Sequence, residues 1–275
     1  MKIYIKGLPS GYEVEHLVRL FYPMAPLTLT APEDGEDCVW AEKKPDGLWA
    51  MVRERGKSKT ARALLPDIET PEFALASLTY DLLRAWTGIR PPWGKMTGVR
   101  PVRLIHDKRA AGWSEEDIDQ FFLGRFDCSR QKYQMAKAIA DLQEPILKAG
   151  SVPKTYSLYI GIPFCPSRCS YCSFVSCNLQ PYVDCLCREV EEIKAQADKA
   201  GLTLCSIYIG GGTPTSLSAD QLRQLMGTVR ENFDLSQVME YTVEAGRPDC
   251  TDAEKLAVIK EYGATRISIN PQTFS

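Results

Sequence analysis

Histidine is nearly absent. His16 and His106 are the only two among 275 residues, and neither lies near the cysteine-rich segment described below. A paired Cys/His zinc finger in that segment is therefore excluded. Long apolar runs are also missing: no stretch approaches the ~18 residues of a membrane span. Residues 1–10 lack a basic region followed by an apolar core, so they do not read as a secretory leader. Neither sign of charge is in excess. The 33 Lys and Arg stand against 35 Asp and Glu, a net charge of −2, which excludes a whole-chain basic footprint for nucleic acid. No internal repeat or low-complexity tract interrupts the chain. A cytoplasmic location without a membrane partner is the expectation.

What is present suits a folded protein of two domains. Hydrophobic residues make up 44% and charged residues 25%, and at about 150 residues per domain the length fits roughly two. The first, residues 1–150, reads as a small α+β domain. Strand patterns occupy 2–6, 27–30, 38–43 and 48–53, with a turn at Lys44-Pro45-Asp46-Gly47. Helical patterns occupy 12–21, 71–86 with Pro at its start and Gly88 beyond its end, a segment capped by Ser114, and 131–148. Two stretches are basic. One holds Arg53, Arg55, Lys57, Lys59 and Arg62, and the other runs from Arg90 to Arg103 around Trp93. Each reads either as a surface for an acidic partner or as a solvated connection.

The second domain, residues 151–275, alternates strand and helix. Strands are expected at 158–163, 205–209, 241–245 and 266–269. Between them come an apolar helical repeat from Val183 to Ala197, a helix with a capping box at Ser218, and a helix capped around Thr251-Asp252. This alternation predicts parallel strands with right-handed crossovers, all strand-to-helix loops falling on one side. The suggestive residues collect there: a cysteine loop after the first strand, Gly210-Gly211-Gly212 after the second, Glu244 closing the third, and Gln272 after the fourth.

Ten cysteines are many for a cytosolic chain, and six fall between Cys165 and Cys187. Cys165, Cys169 and Cys172 are spaced C-x3-C-x2-C. Three thiolates so placed suit three irons of a [4Fe–4S] cluster, leaving the fourth iron open. Zinc is the rival, but it usually takes four ligands. Cys185 and Cys187 fall on different faces of the expected helix and read as structural, and Cys177 stays open as a fourth ligand. Pro163, Phe164, Tyr171, Phe174 and Val175 would shield such a cluster. The run Gly210 to Pro214 reads as a tight turn, or as a loop whose successive N–H groups could bind an anionic group. No Lys-Ser/Thr follows it, so it is not a P-loop. A carboxylate ending an apolar strand needs a partner. For Glu244 that is a cationic or hydroxyl-rich ligand, or a salt bridge to Arg247 or Arg266.

Together these residues resemble a known group. The run Tyr159-Ile160-Gly161-Ile162-Pro163-Phe164-Cys165 with Cys169 and Cys172, then Gly210 to Pro214, Glu244-Ala245 and Arg266 to Phe274, resembles the radical S-adenosylmethionine (SAM) enzymes. More narrowly it resembles the oxygen-independent coproporphyrinogen III oxidase group. The N-terminal domain with its Arg90–Arg103 stretch is similar to the coproporphyrinogen dehydrogenase-like subgroup of Gram-positive bacteria. The fold implied is a (β/α) barrel of parallel strands, here a partial one of four strand–helix units, preceded by the α+β domain. The chain then reads as the N-terminal portion of a longer enzyme. The cofactors implied are a [4Fe–4S] cluster and SAM. Cys165, Cys169 and Cys172 would ligate the cluster, while Gly211, Gly212 and Thr213 would hold the amino-acid end of SAM. Glu244 would meet its ribose or amino region, Gln272 its ribose, and Tyr159 would lie beside both groups. One electron from the cluster would cleave SAM, and the resulting 5′-deoxyadenosyl radical would start the oxidative decarboxylation of coproporphyrinogen III to protoporphyrinogen IX in haem biosynthesis. The partners implied are a porphyrinogen substrate and an electron donor such as flavodoxin or ferredoxin, with nucleic acid not expected. Two positions depart from the decarboxylases of the group: Phe174 stands where they carry a further Cys, and Gly161 where they tend to have His. These bring in the related haem chaperones as an alternative, alongside an inactive fragment. A radical SAM enzyme acting on RNA is a third reading, resting on the basic stretches.

Overall fold

The computed structural model describes residues 1–66, 69–169, 172 and 180–270. The chain divides into two compact units, Met1–Asp141 and Leu142–Ser275.

The first unit is built on a five-stranded sheet of order β2-β1-β3-β4-β5. It opens with β1 (Lys2–Lys6), α1 (Tyr12–Arg19), β2 (Leu27–Thr28), β3 (Cys38–Lys44), β4 (Gly47–Glu54) and β5 (Lys57–Ala63). Then come α2 (Pro71–Thr87), α3 (Pro101–Ala110), α4 (Glu115–Asp119), a π-helical turn (Gln120–Arg125) and α5 (Arg130–Gly150). β1 pairs in parallel with β2 and β3, while β3, β4 and β5 form an antiparallel meander. α2 starts as the sequence predicts. Thr70 caps it by accepting the Phe73 N–H, Pro71 occupies its first position, and Gly88 closes it in the left-handed conformation at φ 74°. Leu75, Tyr80 and Leu83 are fully buried and pack with Ile3, Leu17, Val39 and Ala50 into one core. A smaller core gathers Met96, Ile105, Ile118, Phe122, Tyr133 and Ala140.

The structure corrects both basic stretches. Lys57, Lys59 and Arg62 lie on β5, an edge strand, rather than in a loop. Arg55 and Gly56 turn the chain into β5 with φ of 51° and 74°, a double left-handed turn of the kind that closes tight hairpins. Charged side chains on such an edge discourage pairing with another chain. In the second stretch Arg90 pairs with Asp127 at 2.7 Å, and the largely buried Lys95 pairs with Asp81 at 2.9 Å and Ser77 at 2.6 Å. Pro101 opens a helix, α3, that the sequence pattern did not predict. Much of the positive charge of that stretch is thus spent inside the unit.

The second unit is a four-stranded parallel sheet of order β6-β7-β8-β9. Its elements are β6 (Thr155–Ile162), α6 (Gln180–Lys199), β7 (Thr203–Gly211), α7 (Ala219–Asn232), β8 (Glu240–Glu244), α8 (Ala253–Glu261) and β9 (Arg266–Ser268). The capping box at Ser218 is present in both directions, and Asp252 rather than Thr251 caps α8. Leu158, Ile160 and Ile162 of β6 and Ile207 and Ile209 of β7 are buried with Val190 of α6 and Met226 and Val229 of α7. The alternate residues face away from that core. In register across that other face stand Tyr159, Tyr208, Thr242 and Arg266. Tyr159 is 61% exposed.

Candidate functional site

The loops at the carboxyl ends of these strands enclose a pocket of about 300 Å³. Cys165, Cys169, Cys172, Gly211, Gly212, Thr213, Glu244 and Arg247 line it, with Ser268 and Asn270 of the fourth unit. The parallel order produces this convergence, because every strand delivers its following loop to one edge. The three cysteines are half-buried. Cys165 Sγ lies 3.2 Å from the hydroxyl of the buried Thr213. Arg168 donates to the Cys172 carbonyl at 2.8 Å, and the Cys172 N–H donates to the Cys169 carbonyl at 3.0 Å. Phe164 walls the loop, its ring edge-on to Tyr182 at 4.8 Å, and the Tyr182 hydroxyl donates to the Gly161 carbonyl.

The glycine run works differently from the anion-binding loop that its sequence allows. Gly212 N–H donates to the Ile162 carbonyl at 2.7 Å, and Thr213 N–H to the Phe164 carbonyl at 2.8 Å. Gly211 N–H donates to Glu244 at 3.2 Å. All three donors are spent within the protein. The glycines are needed for closeness: a Cβ on Gly212 would sit 2.5 Å from the Phe164 carbonyl oxygen, and Gly211 has φ 114° against Ile162. The run stitches the second strand to the start of the cysteine loop.

Glu244 finds neither Arg247 nor Arg266. The Tyr208 hydroxyl donates to one carboxylate oxygen at 2.6 Å, and Gly211 N–H reaches the other. Arg266 pairs with Glu240 and Arg247 with Asp249. Burial, together with the Glu244 hydrogen bond, pushes the Tyr208 phenol up to about 12, so it remains a donor at any ordinary pH. Gly210 makes this pairing possible, since a Cβ there would meet the Tyr208 ring at 2.5 Å. Tyr159 stacks on Tyr208, with ring centroids 5.9 Å apart. Tyr208, Ser167 and Arg247 were not singled out as site residues from sequence. The period-two alternation of β7, with Ile207 and Ile209 buried, was the available signal for Tyr208. Gln272, Cys177, Tyr171, Phe174 and Val175 lie outside the described residues. Cys187 is buried in the core, and Cys185 is at the surface beside Arg188.

Residues 159–275 match the model of the radical SAM superfamily. The chain carries a radical SAM domain. It is 37% identical over 208 residues to the oxygen-independent coproporphyrinogen-III oxidase-like protein HemZ of Bacillus subtilis, a match covering 70% of this chain and 40% of that protein. It is 43% identical over 124 residues to the heme chaperone HemW of B. subtilis, covering 43% of this chain and 32% of the relative. It is 32% identical over 142 residues to anaerobilin synthase of Escherichia coli O157:H7, covering 50% and 32%. The matches thus cover 32% to 40% of the length of these relatives.

Radical SAM proteins use a [4Fe–4S] cluster and SAM, and the donor set of the pocket suits the cluster. Among the described residues, no three His, Cys, Asp or Glu side chains are grouped closely enough to hold a single metal ion. A cubane does not ask for that, because it spreads its thiolates over separate irons. Three half-buried thiols around one cavity fit three irons of that larger group. Among the described residues no helix is long and apolar enough to cross a membrane.

Proposed function

We propose that this chain provides the cluster- and SAM-binding part of an oxidoreductase that removes carbon dioxide from coproporphyrinogen III without oxygen, yielding protoporphyrinogen IX. The observation that carries the reading is the meeting of Cys165, Cys169 and Cys172 with Glu244 and the Gly211–Thr213 run in one pocket. When bound, the cluster and SAM together supply a one-electron route to a carbon radical able to abstract hydrogen.

The chain's own residues do the holding. Cys165, Cys169 and Cys172 would provide one thiolate each to three irons. The Thr213 hydroxyl, at 3.2 Å from Cys165 Sγ, offers that sulfur a hydrogen bond. Tyr208 and Gly211 each occupy one oxygen of Glu244, which fixes the carboxylate plane. The remaining lone pairs would accept from the hydroxyl or ammonium groups of SAM. The peptide N–H groups of Gly211, Gly212 and Thr213 are spent internally, so this run favours the ammonium end of SAM's amino acid over its carboxylate. Tyr159, exposed and stacked on Tyr208, covers the face beside the pocket. Gln272 is assigned to the ribose. A porphyrinogen is the substrate and a low-potential carrier such as flavodoxin or ferredoxin the electron donor, in the cytoplasm.

The match to the oxidase-like relative covers 70% of this chain, more than the second unit holds, and so reaches into the first. The 43% share matched by the chaperone would fit within one unit. That difference favours the oxidase over the chaperone reading. The test is anaerobic reconstitution with iron and sulfide, reduction, and assay of 5′-deoxyadenosine from SAM with and without coproporphyrinogen III. Product that requires Cys172 and rises together with vinyl porphyrin supports the proposal. Saturable haem binding with no vinyl product supports the chaperone instead.

A further inference from the structure

Arg247 lies three residues beyond Glu244, on the loop that follows β8, and reaches back to the cysteine loop. Its Nη1 donates to the Ser167 carbonyl at 3.0 Å and its Nη2 to the Ser167 hydroxyl at 2.9 Å. Ser167 sits between Cys165 and Cys169. The same Nη1 is 4.0 Å from Cys169 Sγ, the outer limit of an N–H···S contact. On its other side the guanidinium takes Asp249 with two bonds, from Nε at 2.9 Å and from Nη2 at 2.5 Å. All five N–H groups of the fork are thereby directed at the protein, with none left for a ligand carboxylate. The supporting loop is itself tied down. Thr251 donates to the buried Thr215 hydroxyl at 3.0 Å, and Lys255 donates to the Thr215 and Cys250 carbonyls, each at 2.8 Å.

We propose that Arg247 is a positioning residue for the cysteine loop. It clasps Ser167 to fix the spacing of Cys165 and Cys169, and with Asp249 it sets the charge felt by the thiolates. The proposal rests on the reading of these cysteines as cluster ligands. The ion pair is polarised, with guanidinium toward sulfur and carboxylate behind it. Cluster potential follows local charge and the hydrogen bonds to sulfur. Removing the cation leaves Asp249 as an uncompensated negative charge near the thiolates and disfavours reduction. Removing the carboxylate leaves the cation and favours reduction. A residue that only braced the loop would move both variants the same way.

The experiment is a redox titration followed by electron paramagnetic resonance, on the reconstituted chain and its variants, with iron and sulfide counted for each. Arg247→Gln is expected to shift the one-electron equilibrium at least tenfold toward the oxidised cluster, 59 mV downward at n = 1. Asp249→Asn is expected to shift it upward, and the double variant to return close to the parent. Arg247→Lys keeps the charge but cannot span Ser167 and Asp249 together. It is expected to hold the potential near the parent while losing iron several-fold faster to a chelator. Shifts of the same sign in Arg247→Gln and Asp249→Asn, or no shift in either, overturn the proposal. A parent chain that takes up no cluster overturns the ligand reading itself, and the proposal with it. Parent loading therefore separates the two failures. Should Arg247→Gln take up no cluster, Asp249→Asn and Arg247→Lys still decide: an upward shift in the first with an unmoved potential and faster iron loss in the second supports the proposal, and no shift in the first overturns it.

Discussion

Glu244 shows how a carboxylate at the end of an apolar strand finds its partners without a cation. A phenol and a peptide N–H take its two oxygens, and hydrogen bonds to a charged acceptor are among the stronger ones in proteins. Tyr208→Phe deletes the phenolic donor and keeps the ring against Tyr159. SAM affinity measured by calorimetry is expected to fall about tenfold, ~1.5 kcal/mol. The Tyr208 pKa is raised on folding, so its contribution to stability is complete below pH 10 and lost as pH climbs to about 12. Melting curves of Tyr208→Phe are therefore expected to decline less than those of the parent between pH 10 and 12. Gly212→Ala places a methyl group 2.5 Å from a carbonyl oxygen. It is expected to cost about 1–3 kcal/mol in denaturant unfolding and to reduce iron loading. Glu244 itself was legible in sequence because a carboxylate there demands a partner. Which partner was not legible: Tyr208 stands 36 positions earlier and arrives only through strand register. Arg247, close in sequence, is drawn away by Asp249 and Ser167.

Elements were legible where local chemistry and long-range packing agree. Ser218 and Gln221 cap α7 reciprocally, as their spacing announces. Ser218→Ala is expected to lower stability by about 1 kcal/mol, read as a drop in melting temperature with the redox potential of the cluster unchanged. The parallel order of β6 to β9 followed from strand–helix alternation alone. β5 was missed because Lys57–Ala63 has no apolar face to repeat, its polar residues serving an edge. The turn that leads into it uses Arg55 with positive φ, a conformation that arginine rarely signals. α3 was missed because only Ile105 of its ten residues is buried, which leaves almost no period to read.

At the scale of the molecule, each unit has a large core of its own. Leu83 is fully buried in the first and Ile209 in the second. Either one changed to Ala is expected to cost about 2–5 kcal/mol. Calorimetry with iron loading separates them: Leu83→Ala should spare cluster uptake, and Ile209→Ala should lower it, since β7 carries the glycine stitch. The clasp between Ser167 and Arg247 joins points 80 residues apart. During synthesis at ~5–20 residues per second, the cysteine loop emerges about 4–16 seconds before the arginine that closes on it. For that interval the thiols are exposed without their clasp. Iron insertion and protection from oxidants thus become questions of timing on the ribosome as well as of geometry.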